Sequence, residues 1–326
     1  MIVHSSSRLV AVLAGLLALT YAGTAVAGSV ATPAGCSWGV ARDFSGNAKF
    51  FLDNDRDGVV DTSFVFGETG SSILVGDFDG DDVDEIAVRR DISGAGKFFF
   101  NDDSDPGPAD ASFIVGEIAA VPVVGDWDGD GDDNVGVRRD IGGDGKFFLD
   151  TNGTPAIEID FVLGSTADTP VVGNWDGNTT DNIGIVRTVS GGLRWFLSDD
   201  SGAVVSDFAF GTAGDTPIVG DWDGDGDDNV GVVRNVGGVL RYFLDTNGDT
   251  TPEIDFSFGQ DATDTPFACA FSDVTMNDEV GIARAEGGGA LRWITTADLD
   301  GLQTLRVRFG NNTDTPFVGE FEPPLF

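Results

Sequence analysis

Positive charge is scarce in this chain. Eighteen Lys and Arg stand against 55 Asp and Glu in 326 residues, a net charge of −37, and only three of the 18 are lysines, Lys49, Lys97 and Lys146. Gripping a nucleic-acid backbone takes clustered Lys and Arg, so that partner class is excluded. The one histidine is His4, inside a segment read below as a removed leader. Ser-His-Asp, Cys-His and His-zinc chemistry are excluded with it. Beyond residue 27 no segment shows helical periodicity or an apolar run fit to span a bilayer, so membrane insertion is not expected. With 41% apolar residues and 25 Phe the chain can still fill a core, which separates it from disordered acidic sequences.

Residues 1–27 read as a secretory signal: a short start with Arg8, an apolar run over 9–22, and Ala25-Val26-Ala27 as the small-residue cleavage site. Residues 28–326 are then a secreted, extracellular domain.

That domain is repetitive. Asp77, Asp126, Asn174, Asp221, Ala270 and Glu320 recur at spacings of 49, 48, 47, 49 and 50, and Arg42, Arg90, Arg139, Arg187, Arg234 and Arg284 at 48, 49, 48, 47 and 50. Each of the six copies holds four short β-type runs bounded by Gly, Asp and Asn; in the third copy they are A, 121–126, B, 135–139, C, 146–150, and D, 160–164. Four-stranded units at this period predict an all-β fold, a six-bladed β-propeller, with a seven-bladed ring or a β-solenoid as the alternatives. The domain opens at a strand B, and a surplus strand A follows the last copy near residues 317–321. One missing and one extra strand predict that the two ends share blade 1 and close the ring, leaving no open edge.

The A–B connections carry oxygen side chains at regular positions. Blade 3 has Asp126, Asp128, Asp130, Asp132, Asp133 and Asn134 around Gly131, and blade 5 has Asp221, Asp223, Asp225, Asp227, Asp228 and Asn229 around Gly226. Oxygens at positions 1, 3 and 5, a glycine at 6 and an oxygen near 9 match the start of an EF-hand loop, and point to Ca²⁺. Blade 2 offers Asp77, Asp79, Asp81, Asp84 and Glu85 with Asp82 in place of the glycine; blade 4 offers Asn174, Asp176, Asn178, Asp181 and Asn182. Blade 6, starting at Ala270, has lost positions 1 and 5, so no ion is expected there. A second set lies in C–D connections: Asp53, Asp55, Asp57 and Asp61; Asp245, Asn247, Asp249 and Glu253; and, less fully, Asp150, Asn152 and Glu158.

Four runs from strand D end in Phe-Gly (Phe66-Gly67, Phe210-Gly211, Phe258-Gly259, Phe309-Gly310) and lead through strand A to an acidic loop that reads Asp-Trp-Asp-Gly-Asp-Gly in blades 3 and 5. This resembles the FG-GAP repeat of secreted bacterial propellers and of the integrin α head. The Gly-Ala-Pro element of the integrin type is absent, so integrin-type recognition is not carried over. The resemblance implies that all the calcium loops share one face. The opposite face collects Gly-rich B–C turns and Asp-Thr-Pro loops, and by analogy with the integrin-like relatives Asp168, Asp215, Asp264 and Asp314 there are expected to contact ligand.

Six of the basic residues are the strand-B arginines and six more begin strand C: Lys49, Lys97, Lys146, Arg194, Arg241 and Arg292. Such regularity predicts structural pairing, with acids such as Asp160, Asp207 and Asp255 at the start of strand D as partners. Cys36 and Cys269 fall in blades that the ring makes neighbours, and export permits a disulfide between them. Functionally, these features favour a calcium-stabilised module that binds an extracellular glycan or protein, over a carboxylate-dependent glycan-active enzyme and over a structural matrix component.

Overall fold

In each repeat strand B carries a run of buried residues and ends exposed beyond its recurring arginine, while strand C alternates buried and half-buried residues, the period-2 signature of a pleated sheet. In the computed structural model, which describes residues 4–12, 17–25, 35–260, 264–271, 277–296 and 299–321, every repeat supplies four antiparallel strands in the order A-B-C-D, which make a four-stranded sheet in blades 1 to 5 and part of a six-stranded sheet in blade 6. Blade 3 is typical, with A at Val121–Gly125, B at Asn134–Ile141, C at Asp144–Leu149 and D at Ile159–Ser165. Six such sheets make the β-propeller, and no helix among the described residues is long and apolar enough to cross a membrane.

Blade 1 is built from both parts of the chain. Thr315–Gly319 is its innermost strand and pairs antiparallel with Ser37–Phe44, bringing Phe317 opposite Gly39. The shared strand begins at Thr315, two residues earlier than the expected 317. Each of six hydrophobic clusters spans one boundary between neighbouring blades, so the core is a ring of wedges. At the closing boundary Trp38 of blade 1 stacks on Trp293 of blade 6, with centroids 5.4 Å apart, both fully buried. A buried aromatic of this size contributes ~2–3 kcal/mol through lost apolar exposure.

Two strands precede the blades in the chain, His4–Val12 and Leu17–Ala25, which pair with each other and meet blade 6 at Val10 opposite Phe267. Val26 and Ala27 of the expected cleavage signal lie outside the described residues, as do 272–276 of the blade 6 loop.

Antiparallel order sends the A–B and C–D connections to one end of the ring and the B–C and D–A connections to the other. Two chemically different faces result.

Candidate metal-binding face

The first residue of each acidic A–B loop organises the loop around its own carboxylate. Asp126 accepts from the backbone N–H of Gly129 (2.7 Å) and Gly131 (3.1 Å), and Asp221 from Gly224 (2.7 Å) and Gly226 (3.0 Å). Asp77 does the same with Gly80 (2.7 Å) and Asp82 (2.9 Å). Asp82 holds φ at +70°, in the left-handed region that Gly131 and Gly226 occupy at +104° and +96°, so the turn forms even where glycine is missing. In the C–D loops Asp53 accepts from Asp57 and Gly58, and Asp245 from Thr250.

These turns gather carboxylates. Ligand-capable oxygens approach within 4.8 Å of one another in five groups: Asp77, Asp79, Asp81 and Glu85; Asp126, Asp128 and Asp130; Asp221, Asp223 and Asp225; Asp53, Asp55 and Asp57; and Asp245, Asp249 and Glu253. Each has a buried first residue, followed by exposed residues at positions 3 and 5 in four groups and at positions 5 and 9 in the Asp245 group. Burial pushes Asp77, Asp126 and Asp53 up to about 7, against the pull of their backbone donors and with help from neighbouring acids. Glu85 rises to about 10 by burial, with Asp84, Asp77 and Asp79 adding repulsion. Carboxylates crowded in this way lack positive charge, and a hard cation supplies it while accepting oxygen ligands.

Other expected ligands go elsewhere. Asp61 accepts from the N–H of Asn54 (2.7 Å), and Asn247 bridges to Asp249 and Glu253. In blade 4, Asn174 donates to the Asn178 carbonyl, Asp176 accepts from Asn178 N–H, and Asn182 bonds Asp200; no group like the five forms there among the described residues. Asp132 and Asp227, half-buried at position 7, reach toward the preceding blade and are raised by burial and by nearby acids that include Asp79 and Asp176 respectively. Asn134 and Asn229 begin strand B.

Asp84, Asp133, Asp181 and Asp228 sit apart from the clusters and bind the neighbouring blade. The Asp133 N–H donates to the Asp77 carbonyl (2.5 Å), and the Asp133 carboxylate accepts from the Asp77 N–H (3.1 Å). Asp181 repeats this with Asp126, Asp228 with Asn174, Asp278 with Asp221, and Asp84 with Glu320. A glycine ends the preceding strand A at these boundaries, and at Gly76 or Gly220 a side chain would strike the incoming carboxylate. At the sixth boundary Cys36 holds the Asp place, its N–H donating to the Ala270 carbonyl (2.8 Å), and Cys269 holds the Gly place. The two form a disulfide, with Cα atoms 6.0 Å apart. Sequence reasoning missed this clamp, although the survival of Asp278 in a loop that had lost its other acids was a signal for it.

The opposite face corrects a second expectation. Asp168, Asp215, Asp264 and Asp314 are not free to contact a ligand: their side chains are 0–2% exposed, and each binds a strand-B arginine through two bonds. The pairs are Arg187–Asp168, Arg234–Asp215, Arg284–Asp264 and Arg42–Asp314, at 2.5–2.8 Å. Arg90 pairs with Glu68 and Arg139 with Glu117, each the last residue of a strand D, so all six strand-B arginines meet an acid at one end or the other of the D–A connection before their own blade. Asp160, Asp207 and Asp255 pair with Lys146, Arg194 and Arg241 of strand C.

No protein-family model matches the chain, and no curated protein does. Among solved structures, one described as "Structure of Dos1 propeller" is similar, with 14% identity and a TM-score of 0.42, covering 82% of this chain and 68% of that one.

Proposed function

We propose that this protein is a secreted β-propeller of the FG-GAP type that binds several Ca²⁺ ions on its A–B and C–D face and serves as a binding module for an extracellular glycan or protein. One observation carries the reading: the same acidic turn gathers carboxylate oxygens within 4.8 Å in five separate loops of that face. Ca²⁺ suits them because it takes six to eight oxygens in flexible geometry, from carboxylates, carbonyls and water. The disulfide supports export, since such bonds persist outside the reducing cytosol.

With Asp168, Asp215, Asp264 and Asp314 committed to arginines, the contact surface moves to the B–C turns. Phe44, Ile92, Ile141, Val189 and Val236 stand at one repeat position there, all 38–56% exposed, a ring of apolar tips suited to a protein partner. Calorimetric titration of chelator-treated protein tests the metal reading: saturable Ca²⁺ binding at more than one site is expected, reduced in stoichiometry by Asp126→Asn with Asp128→Asn. Absence of saturable heat would sink it.

A further inference from the structure

The residue after position 1 is aromatic in every blade, and it seals the boundary with the next blade in most of them: Trp127, Trp222, Phe271 and Phe321 are buried. In blades 2 and 4 Phe78 and Trp175 are only half-buried, and a cleft opens beside each, of about 100 Å³ between blades 2 and 3 and about 330 Å³ between blades 4 and 5.

The smaller cleft has two unlike walls. Blade 2 presents Phe78, Phe100 and Phe113, the first two edge to face at 5.1 Å and the last two stacked at 5.2 Å, with Asp102 at the rim. Blade 3 presents Asn134, 6% exposed, and Asp150, 0% exposed. Asp150 Oδ1 accepts from the N–H groups of Asn152 and Thr154, but Asp150 Oδ2 and Asn134 Oδ1 are buried without a hydrogen-bond partner. Leaving two buried acceptors unpaired costs ~1–3 kcal/mol each, which a ligand bearing donors recovers. In the larger cleft the corresponding Asp245 has both oxygens engaged, so of the equivalent Asp and Asn pair just one acceptor, Asn229 Oδ1, lacks a partner.

We propose that the cleft between blades 2 and 3 binds an alkylammonium group, its N–H donors on Asn134 Oδ1 and Asp150 Oδ2 and its methylenes against Phe78, Phe100 and Phe113. An ammonium brings three donors and no acceptor, and aromatic faces attract it. A calcium ion fits worse, since one wall offers rings where it needs oxygens. A volume of about 100 Å³ is that of roughly three waters, enough for the ammonium head and its first carbons.

The test is calorimetry on the whole protein at saturating Ca²⁺, with n-butylammonium as probe, n-butanol as its uncharged counterpart and tetramethylammonium as a cation without N–H donors. Saturable binding of n-butylammonium alone is expected, weakened about tenfold, or ~1.4 kcal/mol, by Asp150→Asn at an unchanged melting temperature. Asp300→Asn, at an exposed carboxylate of blade 6 far from the cleft, serves as the control that leaves it intact. Tighter binding of N-acetyl-lysine N-methylamide than of n-butylammonium would identify a lysine side chain as the source; the reverse order would identify a free amine. No saturable binding, equal binding of tetramethylammonium, or one-for-one displacement by added Ca²⁺ overturns the proposal.

Discussion

At the B–C end of the ring every strand-B arginine meets an acid, whereas at the A–B end acids meet acids. The first end holds its own countercharge. Burial alone would raise Asp168 and Asp215, but the arginine bonds and backbone donors outweigh it and both are lowered. At the second end burial dominates and Asp53, Asp77 and Asp126 rise to about 7. The difference teaches where the chain supplies its own countercharge and where a bound cation would have to supply it.

Removing the ion breaks the comparison most severely. Extracellular sites of this class bind at ~0.1–1 mM, so Ca²⁺ at ten to a hundred times the dissociation constant adds roughly 1.4–2.7 kcal/mol per site. Excess EDTA should lower the melting temperature by many degrees without recovery in NaCl, and an unchanged melt would remove the dependence altogether. Next comes pH. In chelated protein the raised carboxylates bind more protons folded than unfolded, so stability should fall as pH rises from about 4 to about 7. Bound Ca²⁺ keeps them ionised and reverses the slope, so melting curves at pH 5 and pH 8 should exchange order when Ca²⁺ is added. The lowered Asp168 and Asp215 act oppositely: their contribution is present above the unfolded value near 4 and is lost as pH falls through the folded one.

A smaller, local effect separates the arginine pairs. Arg284 is 14% exposed and Arg187 39%, so Asp264→Ala strands a more buried cation than Asp168→Ala. The first should cost ~3 kcal/mol and the second less by urea unfolding; equal costs would mean that burial does not set the strength of these pairs. The smallest effect sharpens the clamp. Since the closing boundary uses two cysteines where another uses Gly76 and Asp133, the double change Gly76→Cys with Asp133→Cys should form a disulfide during oxidative folding. Its loop-entropy gain of ~4 kcal/mol is partly offset by the lost Asp133 bonds, and free thiols in the folded product would refute the equivalence.

The period, the four strands per repeat and the ring closure are legible in the sequence because each blade meets the same packing demands, so the same residue types return at the same places. The acidic turns are legible too, since Asx geometry is local: Asp126 to Gly131 spans six residues. Relations between strands, within a blade or across a boundary, are not. Repetition shows that Arg187 and Asp168 each belong to a recurring column, but not that the two columns touch, so Asp168 reads as available for ligand. Asp133 reads as a ligand for the same reason, lying beside Asp132 in the chain while its carboxylate turns to Asp77 in another blade.

The placement of the disulfide has a mechanical consequence. The covalent loop it closes runs from Cys36 to Cys269 and leaves outside it both Thr315–Gly319 and strands B to D of blade 6. Tension applied at the C-terminal end therefore peels a five-residue strand away from Ser37–Phe44, one hydrogen-bonded pair at a time, as a zipper opens. After that first yield the load passes to strands D, C and B of blade 6, which hydrogen bonds alone hold, and it reaches the sulfur–sulfur bond only once they have peeled, while everything between Cys36 and Cys269 stays inside the covalent loop. Loss of the last strand under tension is therefore a step that the disulfide does not oppose, and one that refolding has to reverse.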